Sequence, residues 1–262
     1  MAATVYTVEA SGDVAEDVKA LVQQMGGIEH YVNRDERVLV KPACNSPYPF
    51  PATTDLRVIR AVVELLQPVT RNITVGDSSG LAHKPTTVAF DGMGLTALAR
   101  EMDLPLVDFD QHEWVLRKDS RARLLKEVHL TSLLDGFDRL IFLPTMRTHT
   151  WARITMSLKL GMGLIPVPDR QQMHRSSLEQ MIGELNLYFK PDLIILDGRK
   201  CFISGGPDRG EKREPGILLG GTGRVAIDSR GTSILKEYNA AQLEMAAAEV
   251  PMIRAASELG LP

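Results

Sequence analysis

The chain has 262 residues, 44% of them hydrophobic and 24% charged, enough apolar material for one sizeable core and no bias towards disorder. A formal charge of -3 offers no field that would draw it to nucleic acid or an anionic membrane, so an anion site has to be a local gathering of Lys and Arg. The N-terminus lacks a basic start followed by an apolar stretch, and no apolar run is long enough to span a bilayer, which points to a soluble, cytoplasmic protein.

Thr4 to Val8 alternates apolar and polar residues as a short strand does, and Ser11-Gly12-Asp13 with Glu16 reads as a helix start with a capping-box carboxylate. The helix has an apolar face of Val14, Val18, Leu21, Val22 and Met25 and ends at Gly26-Gly27. A strand from Arg37 to Lys41 runs into a loop, Ala43 to Phe50, whose prolines leave few conformations and which can hold a ligand at small ordering cost. Thr53-Thr54-Asp55 offers caps to a helix with Val58, Ile59, Val62, Val63 and Leu66 inside. The strand Ile73 to Val75 ends in Gly76-Asp77-Ser78-Ser79-Gly80. A helix from Leu95 to Met102, a strand at Leu106-Val107 and strands within Trp114 to Lys118 and Leu124 to Leu130 follow.

Arg139 to Leu143 reads as a buried strand closed by Pro144. Beyond it Arg147, Thr148, His149, Ser157, Lys159, Arg170 and His174 form a dense set of cationic and hydrogen-bonding side chains around Gly161 and Gly163, the pattern of an anion site. A helix from Ser177 to Phe189 gives way to the strand Leu193 to Leu196 and Asp197, and Ser204 to Gly216 reads as a long, lid-like surface loop. Ile217 to Leu219 and Val225 to Asp228, around the turn Gly220 to Gly223, look like a C-terminal hairpin. Helices from about Gly231 to Met252 and on to Leu259 close the chain. The alternation predicts an α/β fold, a mainly parallel sheet flanked by helices, in one domain over 1-262 with sub-lobes 1-135 and 136-262.

Ligands of open α/β sheets lie beyond the strand C-termini, so Lys41, Asn45, Asp77, Ser78, Ser79, Arg147, Thr148, Lys159, Arg170 and Asp197 are candidates for holding a substrate. His149 and His174 are candidates for moving a proton near neutral pH. The G-x-S-x-G match at Gly76 to Gly80 would make Ser78 a nucleophile, but Pro85 interrupts the helix that such an elbow needs, and the loop reads better as an oxyanion cradle. A metal site would use His149, His174 and either Asp77 or Asp197, without any histidine pair at helical spacing to support it. Cys44 and Cys201 lie far apart and outside any C-x-x-C, so no disulfide framework or iron-sulfur cluster is expected, and Cys44 reads as a small buried apolar residue.

Val40-Lys41-Pro42, Thr53-Thr54-Asp55, Val75-Gly76-Asp77-Ser78, Leu143-Pro144 with Arg147-Thr148-His149, Ser157-Leu158-Lys159, Arg170 with His174, Leu196-Asp197-Gly198, Gly205-Gly206-Pro207 and Val225 to Asp228 come in that order. Together they resemble the motifs of the family catalogued as domain of unknown function 362, from Arg37 to about Asp228. The resemblance implies no established reaction, and the ferredoxin-like cysteine segment of many members has no counterpart here. Arg147 stands where the family usually has Lys, which favours bidentate contact with a carboxylate or phosphate, and Leu160 stands where it usually has Asn, which removes an amide. The expected function is a small-molecule enzyme acting on a carboxylate or phosphate substrate by acid/base chemistry of the isomerase or lyase type. The alternatives are an accessory protein that binds a metabolite or cofactor without catalysis, and a metal-dependent site. The expected partner is a small anionic ligand, neither nucleic acid nor membrane; the cofactor is unknown and homo-oligomerisation is left open.

Overall fold

Asp13 accepts the backbone N–H groups of Ala15 and Glu16 and so starts the first helix, α1 (Val14–Gln24), in the computed structural model, which describes residues 3–262. The expected capping box is absent: Asp17, not Glu16, reaches back, to the N–H and hydroxyl of Ser11. The preceding strand, β1 (Tyr6–Glu9), and the next, β2 (Val38–Pro42), flank α1, and β2 is buried along its whole length. Asp55 caps α2 (Leu56–Leu66) by accepting the N–H of Arg57, and β3 (Ile73–Asp77) follows. Two short helices, α3 (Thr86–Met93) and α4 (Leu95–Glu101), lead to β4 (Leu106–Asp108). The sequence reading missed α3; Gly94, left-handed at φ 87°, ends it after two turns, leaving too short a pattern to recognise.

The pair β5 (Trp114–Lys118) and β6 (Glu127–Thr131) forms a separate antiparallel sheet. Then β7 (Arg139–Leu143) breaks at Pro144 and continues as β8 (Thr145–His149), which turns into β9 (Arg153–Thr155). Next come α5 (Ser157–Leu160), α6 (Val167–His174), α7 (Leu178–Leu185), β10 (Leu193–Phe202), β11 (Lys212–Arg213), β12 (Ile217–Gly221), α8 (Arg224–Glu237) and α9 (Pro251–Glu258).

The main sheet has the order β1-β12-β10-β7-β2-β3-β4, with β8, β9 and β11 attached beside β10. The neighbours from β10 through β7, β2 and β3 to β4 are parallel, while β12 runs antiparallel to both β10 and β1. Successive residues of β2 face opposite sides: Val38 and Val40 join the core beneath α1 and α2, and Leu39 joins the core that includes Ile182 and Leu185 of α7 and Ile253 of α9. Among the described residues no helix is long and apolar enough to cross a membrane.

The C-terminal region differs from expectation in one respect. An antiparallel hairpin is present, but β12 pairs with β10 and β1, and Val225 to Asp228 is the first turn of α8 rather than a second arm. Apolar residues at three of those four positions mimic a strand, yet of these three only Ile227 is fully buried, next to the equally buried Asp228, as one face of a helix requires.

From β2 the chain builds towards β4 on one side, and after β6 it returns to place β7 on the other side of β2. The loops leaving the C-terminal ends of β2 and β7 therefore part in opposite directions. A crevice opens between them, where the open-sheet rule places ligands.

Candidate functional site

A cavity of about 240 Å3 occupies this crevice, and Lys41, Asn45, Asp77, Ser78, Arg147, His149, Lys159, Arg170 and His174 all line it. Chain segments more than a hundred residues apart are brought together there. Ser79, Thr148 and Asp197 do not line it. The Ser79 hydroxyl donates to the carbonyl of His83, and Thr148 donates to that of Phe202. Asp197, fully buried, accepts from Arg199, which also bridges to Asp55. Its charge is already balanced, so it has no vacancy for a substrate.

Lys41 ends β2 and Asp77 ends β3, adjacent parallel strands, and their charged groups meet at 2.7 Å with no exposure of the lysine. Asp77 also accepts the N–H groups of Cys44 and Ser78, which fixes its carboxylate. A β-carbon at Gly163 would fall 2.1 Å from Asp77 Oδ1 and 2.7 Å from Lys41 Nζ, so only glycine lets this backbone pass over the pair. Cys44 is buried beside them, and burial pushes its thiol well up, away from thiolate chemistry.

The guanidinium groups of Arg147 and Arg170 are largely held by the protein itself. Arg147 donates to the carbonyls of Pro51, Ala52 and Pro207 and to Asn45 Oδ1, and its Nε is buried without a partner among the described residues. Of the bidentate fork expected of Arg147 from the sequence, the Nη1 side is taken up by carbonyls and the Nε side is not. Burial holds its pKa down at about 10. Arg170 donates to the carbonyls of Ile165, Ser79 and Gly163 and to the Ser78 hydroxyl. Ser78 also accepts from Lys84 and donates to Asp110, so both its lone pairs and its proton are engaged. Ser78 thereby ties Arg170 and Lys84 to Asp110.

Lys159 is the contrast. It stands on α5, whose first N–H groups, those of Ser157 and Leu158, donate to Asp228 of α8. Among the described residues no carboxylate or carbonyl accepts from its Nζ. Desolvation comes first, then repulsion from Arg147 and Arg170, partly offset by attraction to Asp208, and the balance holds its pKa down at about 7.

The two histidines carry opposite tautomers. His149 Nδ1 accepts the N–H groups of Trp151 and Ala152, so its proton is on Nε2. Burial and the nearby cations push its pKa far down, and it stays neutral. Of the acid and base roles the sequence left open for it, His149 is arranged for the donor's, with Nε2–H as the free group of its ring. His174 Nδ1 donates to the carbonyl of Arg170, which leaves its Nε2 lone pair free. Desolvation again lowers the pKa, so this lone pair is available at neutral pH.

Sequence reasoning missed His83 and the role of Asp208. Asp208, in the expected lid loop, accepts from Asn45 Nδ2 at 2.6 Å and meets His83 Nε2 at 2.8 Å, which closes one wall of the cavity. The charge cluster after Gly206-Pro207 was the only sequence signal for it. Metal binding gains no geometry: no three His, Cys, Asp or Glu side chains among the described residues converge, and His149, Asp77 and Asp197 are already engaged.

Residues 38–233 match a family model described as a domain of unknown function, DUF362. A thylakoid-associated protein of Synechocystis sp. is 28% identical over 262 residues, an alignment that takes in 96% of this chain and 76% of the relative.

Proposed function

The chain belongs to the DUF362 family, whose description names no reaction, and on that premise we propose that it is a small-molecule enzyme acting by acid/base chemistry on an anionic substrate. The observation that carries the reading is Lys159, a cavity-lining cation that no carboxylate among the described residues contacts. Lys41, Arg147, Lys159 and Arg170 outnumber the lining carboxylates Asp77 and Asp208, so the cavity favours a negative ligand.

His149 Nε2–H donates to the oxygen on which charge develops, and His174 Nε2 accepts the proton from the adjacent carbon. This division suits proton transfer next to a carbonyl, as in an isomerase or lyase, and needs no chemistry from Ser78.

The test is a thermal-shift screen of wild type and Lys159→Met against phosphate, phosphorylated metabolites, and di- and tricarboxylates. A ligand at a hundred times its dissociation constant stabilises by about 2.7 kcal/mol, which at this length raises Tm by several degrees. The expected result is a shift with one anion class that disappears in the variant; no shift with any anion refutes the reading. The same proposal has the protein working in the cytoplasm on a dissolved ligand. The thylakoid-associated relative offers the alternative, and the partition of the native protein between the soluble and membrane fractions of a lysate decides it.

A further inference from the structure

Lys159 differs in kind from the other cations around it. Lys41 is paired with Asp77, and the two arginines are occupied by carbonyls, Asn45 and Ser78. Lys159 shares the cavity lining with the apolar Leu160 and Met162 and with Arg147 and Arg170, whose repulsion outweighs the attraction of Asp208. A lysine that is desolvated and set beside other cations keeps a free lone pair at neutral pH and becomes a nucleophile. The cavity also contains the two proton-handling groups that such a nucleophile needs, a neutral imidazole that donates and another that accepts.

Resting on the reading above, we propose that Lys159 acts covalently, forming an imine with the carbonyl carbon of a small anionic ketone or aldehyde such as a 2-oxo acid. The Nζ lone pair forms the new bond to carbon while the carbonyl π pair moves onto oxygen, where His149 Nε2–H donates to it. His174 Nε2 takes a proton from the nitrogen and delivers it to that oxygen, which gives a carbinolamine. A second proton, from solvent, lets the hydroxyl leave as water as the nitrogen lone pair closes the C=N bond. In sum, amine, carbonyl and one proton give iminium and water, with no oxidant or reductant. The iminium draws electrons from the neighbouring carbon, so a proton or carboxylate there departs more readily.

The test uses the full chain incubated with pyruvate, 2-oxoglutarate or glyoxylate, then sodium borohydride, with intact-mass measurement and peptide mapping. The expected result is one reduced adduct per chain, on the peptide containing Lys159, trapped at a rate that is half-maximal near pH 7 and lost in Lys159→Arg. Peptide mapping of wild type stands whether or not the variant folds. Adducts scattered over other lysines, or none with any of the three acids, overturn the proposal. Succinate and phosphate then separate the two readings: if they still raise Tm, the anion site survives without the covalent step, and if they do not, both fall.

Discussion

Lys159 is a charge that the fold does not balance, and its protonation should leave a mark on stability. Its folded pKa of about 7 lies below the ordinary lysine value, so below pH 7 the folded chain carries an ammonium with no partner among the described residues. Between pH 7 and about 10 the unfolded chain keeps a proton that the folded chain has released, and stability rises with pH across that window. Lys159→Met removes the penalty. The variant should be more stable than wild type by roughly 1–3 kcal/mol at pH 6, after allowance for water in the cavity, with the gap closing towards pH 10. Urea unfolding at pH 6, 8 and 10 checks this, and a variant less stable than wild type at pH 6 would show that the ammonium is better accommodated than its contacts indicate. Stability set against function at one side chain is what a substrate-binding charge requires.

At the scale of elements, Lys159 depends on a four-residue helix that could not stand alone. Asp228 holds its start through the N–H groups of Ser157 and Leu158, and Asn186 accepts Arg224 and donates to the carbonyl of Leu158. Burial pushes the Asp228 carboxyl up to about 6, so its contribution to stability is greatest at low pH and falls as pH rises from about 4 through 6. Asp228→Asn should cost about 1–3 kcal/mol through lost acceptors, and the deficit should shrink over that same interval. A deficit that grows with pH would mean that the ionised carboxylate is the favoured form.

Asp228 also marks where the sequence was legible and where it was not. The parallel strands announced themselves because both faces are covered, which makes β2, β3, β7 and β10 near-continuous apolar runs. The segment around Val225 to Asp228 misled because its periodicity is too short to separate strand from helix, and Asp228, placed in a hairpin arm, is a fully buried residue of α8. The helix α6 was hidden for another reason: its inner face is supplied by Arg170 and Met173, and a buried arginine is invisible to a hydrophobicity pattern. Likewise β8 is fully buried yet reads Thr-Met-Arg-Thr-His, polar because it forms a wall of the cavity. The cations expected at a site do meet there, but their hydrogen-bond partners are backbone carbonyls, which no side-chain pattern reveals.

At the scale of the whole molecule, both halves contribute strands to one sheet, and the crevice lies at the seam where β2 meets β7. Three separate segments must stay in register for the cavity to keep its form: the loop after β2, the strand β8 and the loop that contains Pro207. Arg147 touches all three. The three carbonyls accept from Nη1 and Asn45 Oδ1 accepts from Nη2, and a lysine, with a single nitrogen, cannot stand at both places. The arginine at this position is therefore a shared rivet, and damage around it should not be additive. Once Arg147→Lys has loosened the rivet, Asn45→Ala has little left to undo. A double-mutant cycle on these two residues should return a coupling of about 1 kcal/mol or more, whereas strict additivity would mean that each segment holds its place alone. Any residue at positions 51, 52 and 207 offers the same carbonyls, so among relatives it is position 45, whose side chain meets Arg147, that should vary in concert with 147.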